Sequence, residues 1–301
     1  MSGELGRLLK QVHSESGREA IAAATGQDAG LAAAGRGGMW TGVEAIDAAL
    51  RQTDGTQTVV ELAGAAGSGK TQTLYRICAA HALAGADGER GHVLFVDVDG
   101  RMDVRQLAQT MRATARDDAE AAEALRRVHV FAPATTGALI ATLAKLGAYV
   151  GARQVRVTAV VVDGLGSNHW IDQREAAHVR LRIRRATAWF RQQQQLVDTL
   201  VAAGRALRCV VVAANTLLLA PSHSADRPER LFAAAGREYR DHMIPRWRDA
   251  VLCSFTLESE PCSVHSQQLT RVWFRPFGAP QDRHHGVAFI GRQGLQDTTA
   301  T

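Results

Sequence analysis

The amino-acid sequence predicts an α/β domain built on a mostly parallel sheet with helices on its faces. Three observations carry that expectation. Five short runs dominated by Val, Leu and Ala recur between residues 58 and 215, each followed by a stretch long enough for a helix or a return loop. These runs are apolar at nearly every position, not at alternate ones, which is the pattern of strands buried on both faces. A glycine-rich turn separates the first run from its helix, where such folds bind phosphate.

Taken in order, TVVELAG (58–64) is the first predicted strand, and its helix runs from about Lys70 to Leu83. HVLFVDV (92–98) is the second, followed by a helix from about Val104 to Ala115. VHVFAP (128–133) is the third, with a helix across 136–150. VRVTAVVVD (155–163) is the fourth, followed by one long helix from about Glu175 to Ala203, and RCVVVAAN (208–215) is the fifth. Alternating strands and helices imply right-handed crossovers and a doubly wound sheet. After Asn215 the chain turns polar and irregular through about Trp247, which reads as a long loop. AVLCSFTLE, LTRVWFRPF and GVAFIG then read as short strands that continue the sheet in antiparallel fashion at the C-terminal end. Residues 1–52 are rich in Ala and Gly and read as an N-terminal arm or linker with little core material, apart from a short helix at 4–12. Residues 53–301 read as the core domain.

Composition narrows the class of protein. The chain has 301 residues, 46% of them hydrophobic, and 35 basic against 30 acidic side chains give a net charge of +5. That balance is compatible with nucleic-acid contact but is thinly spread over this length. The four cysteines show no CxxC spacing, which argues against a disulfide framework or a structural zinc site and favours a reducing compartment. The first ten residues lack the apolar centre of a signal peptide, and no run approaches the roughly 18 apolar residues of a membrane span. A soluble intracellular protein is expected.

The strongest chemical signal is Gly64-Ala65-Ala66-Gly67-Ser68-Gly69-Lys70-Thr71, a complete GxxxxGK[ST] between a predicted strand and a predicted helix. The glycines let the backbone curl so that its N–H groups face phosphate oxygens. Lys70 is expected to reach the β- and γ-phosphates of ATP, and the Thr71 hydroxyl to ligate Mg²⁺. Such a site needs a carboxylate from a neighbouring strand, and Asp163, at the end of AVVVD, supplies one. An ordinary Asp-Gly turn is the competing reading of Asp163. Asp97 and Asp99 end the strand that follows the phosphate-loop helix, at the edge where the nucleotide lies. Asp97, set back on the strand, suits a supporting role, and Asp99 reads either as a catalytic acid or as a helix N-cap.

TGVEAIDAAL (41–50), the phosphate loop, LFVDVDG and VVVDGLGS occur in the order found in the eukaryotic RecA-like recombinases, which this chain resembles over roughly residues 40–256. The likeness extends to a paralogue branch of that family through LYR (74–76), FVDVDGRMDVRQLA (95–108) and VVDGLGSNHWIDQ (161–173). It implies a RecA-like P-loop fold and a nuclear role in homologous recombination repair. It also implies work on DNA, in a complex with other recombinase paralogues.

In that family an acid at the position of Asp99 polarises the attacking water, but active members carry the longer Glu there. A Gln that senses the γ-phosphate is replaced here by Thr216. Both departures imply a site that holds nucleotide with slow or absent hydrolysis. By position, residues 164–174 and 217–240 match the family's DNA-facing loops, which makes Trp170, Arg227, Arg230, Arg237 and Arg240 DNA-binding candidates; Trp170 reads equally as a core or interface anchor. In 178–190, Val179, Ile183, Ala186 and Phe190 form an apolar stripe expected to be buried, with Arg180, Arg182, Arg184 and Arg185 off it. His284-His285 reads as surface. A neighbouring paralogue is expected at the nucleotide edge, and an arm without an aromatic anchor implies a terminal subunit. Two other functions stay open at this point: an ATP-driven strand-exchange recombinase, and a P-loop kinase, which the absence of an Arg-rich lid disfavours.

Overall fold

A computed structural model describes residues 14–15, 40–51, 58–83, 90–177, 182–219, 231–234, 237–240, 242–264, 267–276, 286–291 and 294–297. The elements are β1 (Ser14–Glu15), α1 (Glu44–Leu50), β2 (Val59–Gly64), α2 (Lys70–Leu83), β3 (His92–Asp97), α3 (Val104–Thr114), α4 (Asp118–Leu125), β4 (Val128–Phe131), α5 (Thr136–Arg153) and β5 (Val157–Asp163). They continue with α6 (His169–Ala177), α7 (Arg182–Leu207), β6 (Val210–Thr216), β7 (Leu218–Leu219), β8 (Leu231–Ala234), β9 (Arg237–Arg240), α8 (Pro245–Ala250), β10 (Cys253–Val264), β11 (Gln267–Pro276), β12 (Gly286–Gly291) and β13 (Gly294–Asp297).

The main sheet has the strand order β1-β4-β3-β5-β6-β2-β10-β11-β12-β13. Pairing is parallel from β1 to β10 and antiparallel from β10 to β13. The predicted α/β class therefore holds, with one correction. β10 continues the parallel ladder against β2, Cys253 pairing with Val60, before the antiparallel strands begin.

Strand side chains alternate between two cores. Val60, Leu62, Val93, Phe95, Val161 and Val212 face α1 to α4. Val59, Leu94, Val96, Val160, Val162 and Val211 face α5, α7 and α8. This two-sided burial explains the uninterrupted apolar runs. Register is specified because a one-residue slip would exchange the two faces.

Three sequence expectations need revision. Residues 41–50 are not bare linker: Val43, Ile46 and Leu50 join the first core. Asp47 pins that segment by accepting from Thr41 N and Oγ1, each at 2.7 Å, and from Gly42 N at 3.0 Å. The single helix predicted from Glu175 to Ala203 is two helices; α6 packs back against α7, a return that one straight helix cannot make. The irregular loop after Asn215 contains a three-stranded antiparallel sheet ordered β7-β9-β8 and then α8, which opens on Pro245 in its first turn, where the missing N–H costs nothing.

Phe190 is 43% exposed, against the predicted stripe. The inward face of α7 is set one residue earlier, through Trp189, Gln193, Leu196, Val197, Leu200 and Leu207. Spacings of three and four keep these on one side of a 3.6-residue helix. The predicted helix at 4–12, Val179 and His284-His285 lie outside the described residues, as do the side chains of Ile183 and Ala186. Among the described residues, no helix is long and apolar enough to cross a membrane.

Candidate functional site

Parallel strands deliver their carboxyl ends to one edge. Asp97 on β3 pairs in register with Asp163 on β5, and Gly64 on β2 pairs with Thr216 on β6. The phosphate loop leaves β2 between these ends and enters α2 at Lys70. Gly67 and Gly69 have φ of +79° and +94°, so the curl expected of the loop is present.

Lys70 is buried. Its Nζ donates to Gly64 O at 2.9 Å and Ala65 O at 2.8 Å, and lies 3.5 Å from Ser68 Oγ. Burial lowers its pKa to about 8, against the opposing pull of Asp163 and Asp99. Thr71 Oγ1 donates to Asp163 Oδ2 at 2.8 Å. Burial raises the Asp163 pKa; the Thr71 hydroxyl opposes this, and the charges of Asp99 and Asp97 add to it. Thr71 and Asp163 thus present two hard oxygen ligands side by side, the donor chemistry Mg²⁺ prefers. A resident Mg²⁺ held there would neutralise charge on the β- and γ-phosphates.

Asp99 stands two residues beyond the last residue of β3, is exposed and lines the same cavity as Lys70, Thr71, Asp163 and Thr216. The cavity measures about 540 Å³, in the range of small-ligand sites. Asp99 is not the cap of α3. That role belongs to Asp103, whose carboxylate accepts from Arg105 N and Gln106 N. Asp97 is buried and accepts from Arg101 N at 3.2 Å and Met102 N at 2.9 Å, so it shapes the turn after β3. Gly164 follows Asp163 with φ +82°, and a Cβ there would come within 2.8 Å of the Asp99 carboxylate. Only glycine lets the Asp163 turn and Asp99 approach this closely.

The cavity is also lined by His169, Trp170 and His242, which come from beyond the phosphate loop. His169 at the start of α6 has its ring 4.4 Å from His242, 5.0 Å from Trp170 and 5.5 Å from Trp189. Burial lowers the His169 pKa to about 4, so the ring is neutral near pH 7. Trp170 is 59% exposed and Ile171 is 50% exposed, which removes Trp170 from the core. Asp172, by contrast, is buried, accepts from Thr136 Oγ1 at 2.6 Å and lies 3.4 Å from Gln193 Nε2. It ties α6 to α5 and α7 and leaves Trp170 facing outward. Arg237 and Arg240 lie at the two ends of β9; Arg227 and Arg230 lie outside the described residues.

Sequence reading passed over Glu61. It lies mid-strand in β2, fully buried, on the face turned to α8. Its carboxylate accepts from Trp247 Nε1 at 2.7 Å, Asn215 Nδ2 at 3.2 Å and Ser254 Oγ at 2.5 Å. A buried carboxyl group is costly unless polar partners surround it. These three bonds tie the strand of the phosphate loop to β6, directly ahead of Thr216, and to α8 and β10. The signal was a lone Glu inside TVVELAG.

With this geometry in hand, comparisons with known proteins are specific. A family model described as Rad51 matches residues 38–225. The bovine (Bos taurus) protein described as DNA repair protein RAD51 homolog 4 is 36% identical over 90 residues, 30% of this chain and 26% of that protein. Its mouse (Mus musculus) counterpart matches to the same extent, so the alignments span about a quarter of the length of these two relatives. Mouse DNA repair protein XRCC2 is 27% identical over 198 residues, 64% of this chain and 69% of the relative.

Proposed function

This chain belongs to the Rad51 family, and from that premise we propose that it is an ATP-binding recombinase paralogue with slow or absent hydrolysis. In this reading it works in homologous recombination repair of DNA, in the nucleus, in a complex with other RecA-like paralogues that assists the recombinase filament. The observation that carries the nucleotide half is the 2.8 Å bond from Thr71 Oγ1 to Asp163, beside Lys70 at the mouth of α2. Oxygen ligands, a lysine and a helix N-terminus converge there on the place a triphosphate would occupy.

The half concerned with turnover rests on Asp99 and Thr216. Asp99 shares the cavity with Lys70 and is one methylene shorter than Glu, and a misplacement of about an ångström costs on the order of 10²-fold in rate. ATP then acts as a structural or switching ligand. The relatives named as DNA repair proteins supply the cellular role, and the exposed Trp170 and the arginines at the ends of β9 are the DNA contacts this reading assigns.

The test is a purification from native cells followed by mass spectrometry, with filament formation and DNA-stimulated ATP turnover measured on the isolated chain. Recovery with other RecA-like paralogues, without filaments of its own, is the expected result. Homofilaments with rapid DNA-stimulated turnover would establish a strand-exchange recombinase instead.

A further inference from the structure

The turn between β3 and α3 carries a side chain that the phosphate-loop motif does not account for. Among the described residues lining the cavity, Lys70 and Arg101 are the basic side chains apart from histidine, and Asp99 and Asp163 are the acids. Lys70 sits low in the cradle, bonded to the carbonyls of Gly64 and Ala65. A Mg²⁺ held at Thr71 and Asp163 would offset Asp163, which leaves Asp99 as the carboxylate facing the terminal group of a bound triphosphate. A protein cation beside Asp99 offsets that remaining like charge.

The backbone around Arg101 is held firmly. Asp97 accepts from Arg101 N and Met102 N, and Asp103 N donates to Tyr75 Oη at 2.7 Å. Gly100 reverses the chain with φ +65°, a conformation glycine adopts without strain. The turn is thereby fixed to β3 at one end and to α2 at the other, and Arg101 projects from it as an exposed side chain lining the cavity. A guanidinium presents a planar fork that grips two oxygens of one phosphoryl group.

We propose that Arg101 is a specificity-determining residue that reads the terminal phosphate from within the same chain and makes the site prefer a nucleoside triphosphate to a diphosphate. Asp97 acts through it as a positioning residue. The proposal rests on the nucleotide-binding reading above and extends it to which nucleotide is retained.

The test is displacement of a fluorescent ADP analogue by ATP and by ADP, each with magnesium, from the intact chain and from Arg101→Ala and Arg101→Lys. The variants alter an exposed side chain, and thermal melting checks that each folds. Arg101→Ala is expected to weaken ATP about tenfold while ADP stays within twofold, and Arg101→Lys to recover part of the loss. Unchanged affinity for both nucleotides, or an equal loss of both, overturns the proposal while leaving nucleotide binding intact. Absence of any binding by the unaltered chain removes both readings together.

Discussion

The two walls of the cavity are built on different principles. The phosphate wall is a contiguous run, residues 64–71, tied to Asp163 by the Thr71 hydroxyl and to β6 by the ladder that β2 shares with it. The outer wall is assembled from His169, Trp170 and His242, drawn from α6 and from the chain ahead of α8, and held by ring contacts at 4.4 to 5.5 Å. Charged side chains line one side; on the other, a buried neutral imidazole backs a largely exposed indole. The first wall is preorganised for one chemical group, and the second offers apolar surface to a larger partner such as a base or a protein.

If that division is right, changes to the two walls have separable effects. The largest is expected from Lys70→Ala, which removes the charge-assisted contact to phosphate and should lower nucleotide affinity about 10²-fold by titration calorimetry, at about 3 kcal/mol. Retention of near-normal affinity would show that Lys70 makes no contact with phosphate.

A rise in pH is the milder version of the same change. The free site has Lys70 at about pKa 8, below its ordinary value, and bound phosphate stabilises the charged form. Affinity should therefore be nearly full at pH 7, about halved at pH 8 and about tenfold lower at pH 9, as the free lysine must take up a proton to bind.

Trp170→Ala should change nucleotide affinity less than twofold and stability by about 1 kcal/mol, because the side chain is largely exposed and loses only its ring contacts to His169 and His242. Its loss should appear in DNA or partner binding, measured by fluorescence anisotropy. A nucleotide defect of the Lys70→Ala kind would merge the two walls into one site.

The contrast also explains what was legible beforehand. The phosphate wall is local in sequence and obeys fixed spacing, so its glycines, Lys70 and Thr71 could be read from residues 64–71 alone. Asp163 was legible because an apolar strand ends on it. The outer wall needs α6 and the stretch ahead of α8 to meet in space, and no spacing encodes that meeting.

Periodicity assigned Phe190 to a buried stripe, yet Phe190 is exposed and its neighbour Trp189, equally large and apolar, packs on the second core and the His169 ring. Glu61 was hidden for the opposite reason: its donors lie 154 to 193 residues away in sequence. The β7-β9-β8 sheet was missed because two- and four-residue strands carry too little alternation to stand out from a polar loop.

In the proposed function this site holds ATP and seldom hydrolyses it, because Asp99 falls short of the attacking water. Steady-state ATP turnover by the intact chain and by Asp99→Glu, each with magnesium and saturating DNA, tests it most directly. Bound ATP with turnover at or near background is expected for the intact chain, and a rise on the order of 10²-fold for Asp99→Glu. Brisk turnover by the intact chain that Asp99→Glu leaves unchanged or lowers would contradict it.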